Sequence, residues 1–233
     1  MTDHLTDRRQ VLAGAALFSA LAAAQPASAQ AIAPAPKPSF TPQALPFDPK
    51  TIVGLSEKLL VSHHDNNYVG AVKRLAAIDA QLAALDPAVT PNFQLNGLKR
   101  EELIAWNSMI LHELYFSGLG APSKPGGALA SAIERDFGSD ARWRAEFAAM
   151  GKALGGGSGW VLLTWSARDK RLVNTWAADH TMTLAGGTPL LALDMYEHAY
   201  ALDYGAKAGA YVDAFMATIN WTHADALFKR VAA

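Results

Sequence analysis

The chain has 233 residues, 51% of them hydrophobic, and a formal net charge of -1. That is enough for one domain, or two small ones, with a substantial core, and the near-neutral balance with no basic run excludes an electrostatic case for nucleic acid or a membrane surface. Cysteine is absent, which rules out disulfides and thiolate metal sites, leaves histidine and carboxylate as the metal-capable residues, and suits an oxidising compartment.

The N-terminal stretch MTDHLTDRRQVLAGAALFSALAAAQPASAQ begins polar and carries Arg8 and Arg9. It then runs apolar from Val11 to Ala24 and reaches the A-x-A cleavage signal Ala27-Ser28-Ala29. Residues 1–29 read as a signal peptide, and the paired arginines as a twin-arginine export address. The mature protein is therefore expected outside the cytoplasm, in the periplasm, with no membrane segment after cleavage. Residues 30–47 are dense in proline and read as an extended linker, with the folded part starting near Leu45.

From Ser56 to Leu85 apolar residues recur at three- and four-residue steps, which predicts a helix. Ser56 is a suitable N-cap, Glu57 suits the positive helix end, and Asp86-Pro87 ends the run. A second helix is expected from Lys99 to Ser117, preceded by Asn96-Gly97, with Leu103, Trp106, Ile110 and Leu114 on one side. The two form an antiparallel helical hairpin over residues 48–121. PSKPGG marks a boundary. Beyond it, residues 122–233 form an α/β unit, with short helices near Ala128–Asp136 and Ala141–Ala153. GWVLLTWS and RLVNTW, separated by ARDK, read as a β-hairpin, and PLLALD as a third strand. A last helix is expected from Ala208 to Trp221. The fold class is α+β: a helical hairpin, then an α/β unit with a small three-stranded antiparallel sheet.

Of seven histidines, His4 leaves with the signal peptide and His223 reads as a surface residue. His63, His64, His112, His180 and His198, with Asp194, remain as a possible iron, manganese or zinc site. Asp194 and His198 are four apart, which can put both on one side of a helix or at a strand-to-helix corner. His63 and His112 lie on different expected helices, which antiparallel packing can bring together.

DMYEHAY resembles the DVWEHAYY signature of the iron/manganese superoxide dismutases. LSEKLLVSHH is similar to the family's first-helix segment, LHELYF to its NHTFYW, GGGSGWVLL to its FGSGW, and YVDAFMATINW to its final helix. These blocks occur in the family's order from about Leu45 to Arg230. The resemblance implies one iron or manganese ion per chain, held by His63, His112, Asp194 and His198, and superoxide as substrate. Aligned from the helix start, His63 is the first ligand, and three fewer residues separate it from Tyr68, the match for the active-site tyrosine. Aligned backward from Tyr68, His64 falls on the family's gateway histidine and Leu60 on the ligand. His63 keeps the ligand set whole if the helix is re-registered by about one turn.

The family also keeps a Gln, or in some branches a His, beside the metal. His180 is the candidate for that group, since Ser108 stands where one branch keeps its Gln. His180 and Tyr68 would then relay protons. Glu197 implies a homodimer with that residue at the interface. Tyr196 and Ala201 depart from the family pattern and imply an altered channel. The alternative is a metal-binding protein on the same scaffold with little turnover.

Overall fold

The computed structural model describes residues 40–232; the segment expected to be a signal peptide and most of the proline-rich stretch lie outside them. The end of that linker touches the fold. Phe40, Leu45 and Phe47 pack on the core, and the Gln43 backbone bonds to both Tyr68 and His64.

The first long helix runs as three joined segments: α1 (Glu57–Ser62), one wide π turn (His63–Tyr68) and α2 (Val69–Ala84). Its start is chemical. The Ser56 hydroxyl accepts the Leu59 N–H at 3.1 Å, and Glu57 sits in the first turn. Ser56 also ties distant parts of the chain, donating from Oγ and N–H to the two Asp203 carboxylate oxygens at 2.6 and 2.7 Å. Replacing Ser56 by alanine is expected to cost about 1 kcal/mol. At this size that lowers the unfolding temperature by roughly 2–4 °C. An unchanged melting curve would show that cap and tie do not matter. A wider turn rotates the helix beyond it, and such turns recur at functional sites.

The second helix, α3, spans Asn92–Ser117. It starts seven residues before the expected Lys99, and Asn96-Gly97 lies inside it. Pro91 ends the extended approach, and a glycine inside a 26-residue helix costs only about 1 kcal/mol. Of the four apolar residues expected on one side, only Leu114 is buried. Leu103, Trp106 and Ile110 are exposed at 46, 42 and 40%. The face turned inward carries Ala105, Ser108, Leu111, His112 and Tyr115. α2 packs against α3, and the small Ala105 and Ser108 allow that approach where large side chains would not.

Helices α4 (Gly127–Phe137) and α5 (Asp140–Ala153) follow, then strands β1 (Trp160–Ser166), β2 (Arg171–Ala177) and β3 (Gly187–Asp194). The sheet order is β2-β1-β3, antiparallel throughout, with β1 wholly buried between its neighbours. The register matters for the site: Trp160 lies opposite Asp194 on one side and Ala177 on the other. After a short α6 (Ala201–Tyr204), the expected last helix ends four residues early as α7 (Ala208–Ala217), and a further helix, α8 (Thr222–Val231), follows it. The break has a reason. Thr218 and Asn220 bond to the backbone of Gly120 and Gly118, so the chain here pairs with the end of α3 in place of another helical turn. The core joins the first helices to the sheet and to α7 through Trp143, Phe147, Trp160, Tyr211 and Phe215, all fully buried.

Candidate metal centre

Four separate elements deliver four side chains to one point. His63 opens the π turn, His112 lies on the inner face of α3, and Asp194 is the last residue of β3. His198 sits in a single 3-10 turn, Glu197–Ala199, directly after that strand. One atom of each lies within 4.8 Å of the others. Asp194 Oδ2 is the hub. It is 3.1 Å from His63 Nε2, 3.2 Å from His198 Nε2 and 3.5 Å from His112 Nε2. His63, His112 and Asp194 are buried, and His198 is partly exposed.

Each group is held from behind. The His112 Nδ1–H donates to the Ser108 carbonyl at 2.6 Å, which leaves the Nε2 lone pair facing the cluster. Asp194 Oδ1 accepts the Tyr196 N–H at 2.8 Å, and the Asp194 carbonyl accepts the buried Tyr211 hydroxyl at 2.7 Å. Tyr115 and Phe116 pack on the His63 ring at 5.0 and 5.1 Å. Burial pushes His112 down to about 3, with the neighbouring His63 adding to it, and burial likewise lowers His63. Burial alone would raise the Asp194 carboxyl. The hydrogen bonds from His198 and His63 outweigh it and hold the group below the usual carboxylate range. The arrangement is thus one carboxylate facing three imidazoles, two of which, His63 and His112, burial holds neutral.

That donor set fits a metal ion. His112 Nε2 is buried without a hydrogen-bond partner, and an orphaned lone pair of this kind calls for a ligand or an ion. Donor separations of 3.1–3.5 Å about Asp194 Oδ2 are those that metal–ligand bonds of about 2.0–2.2 Å subtend. Imidazole and carboxylate together suit iron, manganese or zinc.

His180 stands at the edge of this cluster, its ring 6.2 Å from that of His112. Its Nδ1 accepts the Trp160 indole N–H at 3.0 Å, and its carbonyl accepts from Asn107 at 2.5 Å. The Tyr196 ring lies parallel between two histidines, 4.9 Å from His180 and 5.4 Å from His198. Tyrosine at this motif position therefore still supplies a flat aromatic wall.

Of the two adjacent histidines, His63 joins the cluster. His64 points elsewhere, bonding to the Gln43 carbonyl at 2.8 Å and to Asp65 at 2.7 Å. Tyr68 is buried one ring away, its ring 6.3 Å from Phe116 and 5.2 Å from His64. Its hydroxyl donates to Glu113 at 3.0 Å and accepts the Gln43 N–H at 2.9 Å. Glu197 is exposed on this chain. Sequence reasoning missed Tyr211, Asn107 and Glu113, which hold Asp194, His180 and Tyr68. A lone Tyr, Asn or Glu on an amphipathic helix carries no local signal for such a role.

A profile of the iron/manganese superoxide dismutase C-terminal domain matches residues 125–227. A protein named superoxide dismutase (Fe) from Cupriavidus metallidurans is 70% identical over 181 residues, covering 78% of this chain and 92% of the relative. The chain belongs to the iron/manganese superoxide dismutase family. More distant members bear both metal names. Superoxide dismutase (Mn) 1 of Halobacterium salinarum is 33% identical over 192 residues, covering 81% of this chain and 94% of its own. Superoxide dismutase (Fe) of Aquifex pyrophilus is 33% identical over 190 residues, covering 78% and 88%. Membership agrees with the α+β architecture, its three-stranded antiparallel sheet and its buried His/Asp cluster.

Proposed function

We propose that this chain is a superoxide dismutase, converting two superoxide anions and two protons into oxygen and hydrogen peroxide. Its ligands are His63, His112, Asp194 and His198. The observation that carries this reading is the convergence of three imidazole Nε2 atoms on Asp194 Oδ2. One bound iron or manganese ion supplies one-electron redox cycling between the two half-reactions. Iron is the metal we expect here, because the relative at 70% identity is named for it.

The chain's own groups do the rest. Asp194 places one negative charge against the ion; the Tyr196 N–H holds its carboxylate, and the Tyr211 hydroxyl holds its backbone carbonyl. Ser108 fixes the His112 tautomer. Trp160 occupies His180 Nδ1, so in the neutral imidazole Nε2 carries the hydrogen. His180 Nε2 is then the atom that holds and delivers a proton at the edge of the site. The buried walls of Trp160, Tyr115 and Phe116 exclude water around the cluster and strengthen each electrostatic interaction inside it.

The deciding experiment is elemental analysis of the purified protein, with dismutase activity measured on the same sample. About one iron or manganese per chain with fast turnover is expected. Metal without turnover would leave only a metal-binding protein on this scaffold. Export through Arg8 and Arg9 to the periplasm, and a homodimer with Glu197 at its interface, belong to the same proposal. A mature N-terminus other than one following Ala29, or a monomeric mass by light scattering, would remove the respective part.

A further inference from the structure

His63 lacks the outer support that its neighbours have. The Ser108 carbonyl orients His112 at Nδ1, and Tyr196 and Tyr211 hold Asp194. His63 Nδ1 is buried and has no hydrogen-bond partner among the described residues. Beyond its contact with Asp194, its ring is therefore set by packing and by the backbone of the π turn. Such turns are rare. A π turn that relaxed to ordinary helix would re-phase its side chains by roughly 100° for each residue taken up, which would carry His63 away from Asp194 or α2 away from α3.

One residue outside the helix ties this turn at both ends. His64, the second residue of the turn, donates from Nε2 to the Gln43 carbonyl at 2.8 Å. Tyr68, the last, accepts the Gln43 N–H at 2.9 Å and donates to Glu113 at 3.0 Å. Gln43 lies between Phe40 and Leu45, which pack on the core and anchor this strap. Glu113 directly follows His112 on α3, so the Tyr68 hydroxyl links the far end of the turn to the helix that carries another ligand. Phe116 fills the space between, its ring 5.1 Å from His63, 5.6 Å from His64 and 6.3 Å from Tyr68.

We infer that the Gln43 backbone, Tyr68 and Glu113 form a clasp that positions the metal ligand His63. Tyr68 is then a positioning residue and not a proton relay, because its one hydroxyl proton is committed to Glu113. The inference rests on the ligand set proposed above, and its test does not depend on turnover.

Two quantities are measured for each variant: the rate of iron release to excess EDTA, and the unfolding temperatures of the iron-loaded and metal-free proteins. Dismutase activity against pH is recorded in parallel. Tyr68→Phe keeps the ring and removes both bonds. It is expected to speed iron release roughly three- to ten-fold, below the 10–100-fold in affinity that a ligand's direct partner carries. It also narrows the gap between the two unfolding temperatures. Glu113→Ala moves both readouts the same way, and Glu113→Gln, whose amide oxygen still accepts from Tyr68, restores most of the loss. Ser139→Ala is the control for a purely structural loss. It removes the cap of α5, where the hydroxyl accepts the Arg142 N–H at 3.1 Å, and lowers both temperatures together by roughly 2–4 °C with iron release unchanged.

Parental iron release in Tyr68→Phe and Glu113→Ala overturns the inference. So does a Tyr68→Phe protein that differs only in the pH profile of turnover, which would make Tyr68 a relay. A fall of both temperatures together, as in Ser139→Ala, would reduce the clasp to a structural tie and overturn it as well. Iron release that follows the clasp in a protein without turnover would keep the inference and remove the dismutase reading. A protein that takes up neither iron nor manganese would lose the ligand set and the clasp with it.

Discussion

Replacing Asp194 by asparagine is expected to strip the metal from the protein and abolish dismutase activity while leaving the fold in place. The geometry sets the size of the effect. Asp194 Oδ2 is the point on which three Nε2 atoms converge, so the substitution removes the only anionic donor of the set. Losing a mere outer partner of a ligand typically costs on the order of 10–100-fold in metal affinity, and a charged ligand is worth more. The fold survives because the backbone ties are independent of the charge. The Asp194 carbonyl still accepts from Tyr211, and an amide oxygen can still accept the Tyr196 N–H. Elemental analysis should find less than about a tenth of an ion per chain, with far-ultraviolet dichroism like that of the parent. An Asp194→Asn protein that purifies with one iron or manganese per chain and turns over would overturn the ligand set.

How much of the fold is legible in the sequence depends on where each signal resides. The sheet is legible because its strands are short runs rich in valine, leucine and tryptophan, and the first two pair locally across recognisable turn residues. GWVLLTWS and RLVNTW are β1 and β2 within a residue, and PLLALD lies within β3. The inner face of α3 is not. Large apolar residues are expected to mark it, yet Leu103, Trp106 and Ile110 are exposed. Close approach of α2 selects small residues, and a hydrophobicity pattern gives Ala105 and Ser108 little weight. The end of α7 is hidden for a related reason. Residues 218–220 pair with the end of α3, a long-range bond that no local window contains.

The cluster divides along the same line. Asp194 and His198 can be read from one short motif, whereas His63 against His64 cannot. The deciding fact is how the helix enters the π turn, with His63 facing Asp194 and His64 facing Gln43. The place of Tyr68 is set by that turn as well. Its hydroxyl bonds to Glu113 and Gln43, and neither partner is predictable from spacing.

The largest effect on stability is expected from Gly159→Ala, one methyl group at the start of β1. Gly159 has φ +131°, a backbone conformation that residues with a Cβ rarely adopt, and that Cβ would lie 2.1 Å from the Ala177 carbonyl oxygen. The obstacle is backbone, so no rotamer relieves it. Either β2 moves away or Gly159 rotates. Rotation breaks the bond that its carbonyl accepts from the Met195 N–H at 2.9 Å. Both routes lead to the metal centre, because Trp160 pairs with Ala177 and Asp194 alike and its indole holds His180. Strain of this kind costs about 1–3 kcal/mol before the clash is counted. The sum is therefore about 3 kcal/mol or more, and at roughly 2–4 °C per kcal/mol the unfolding temperature falls by about 6–12 °C. Gly156→Ala is the control. That glycine also has a positive φ, +82°, but a Cβ there meets nothing within 4 Å, so strain acts without the clash and a loss of about 1–2 kcal/mol is expected. Thermal unfolding of the metal-free proteins compares the two, and metal content reports whether the disturbance travels the one residue pair from Gly159 to Asp194. A Gly159→Ala protein that melts with Gly156→Ala and binds metal fully would show that the close approach of Gly159 to Ala177 does not hold the site together.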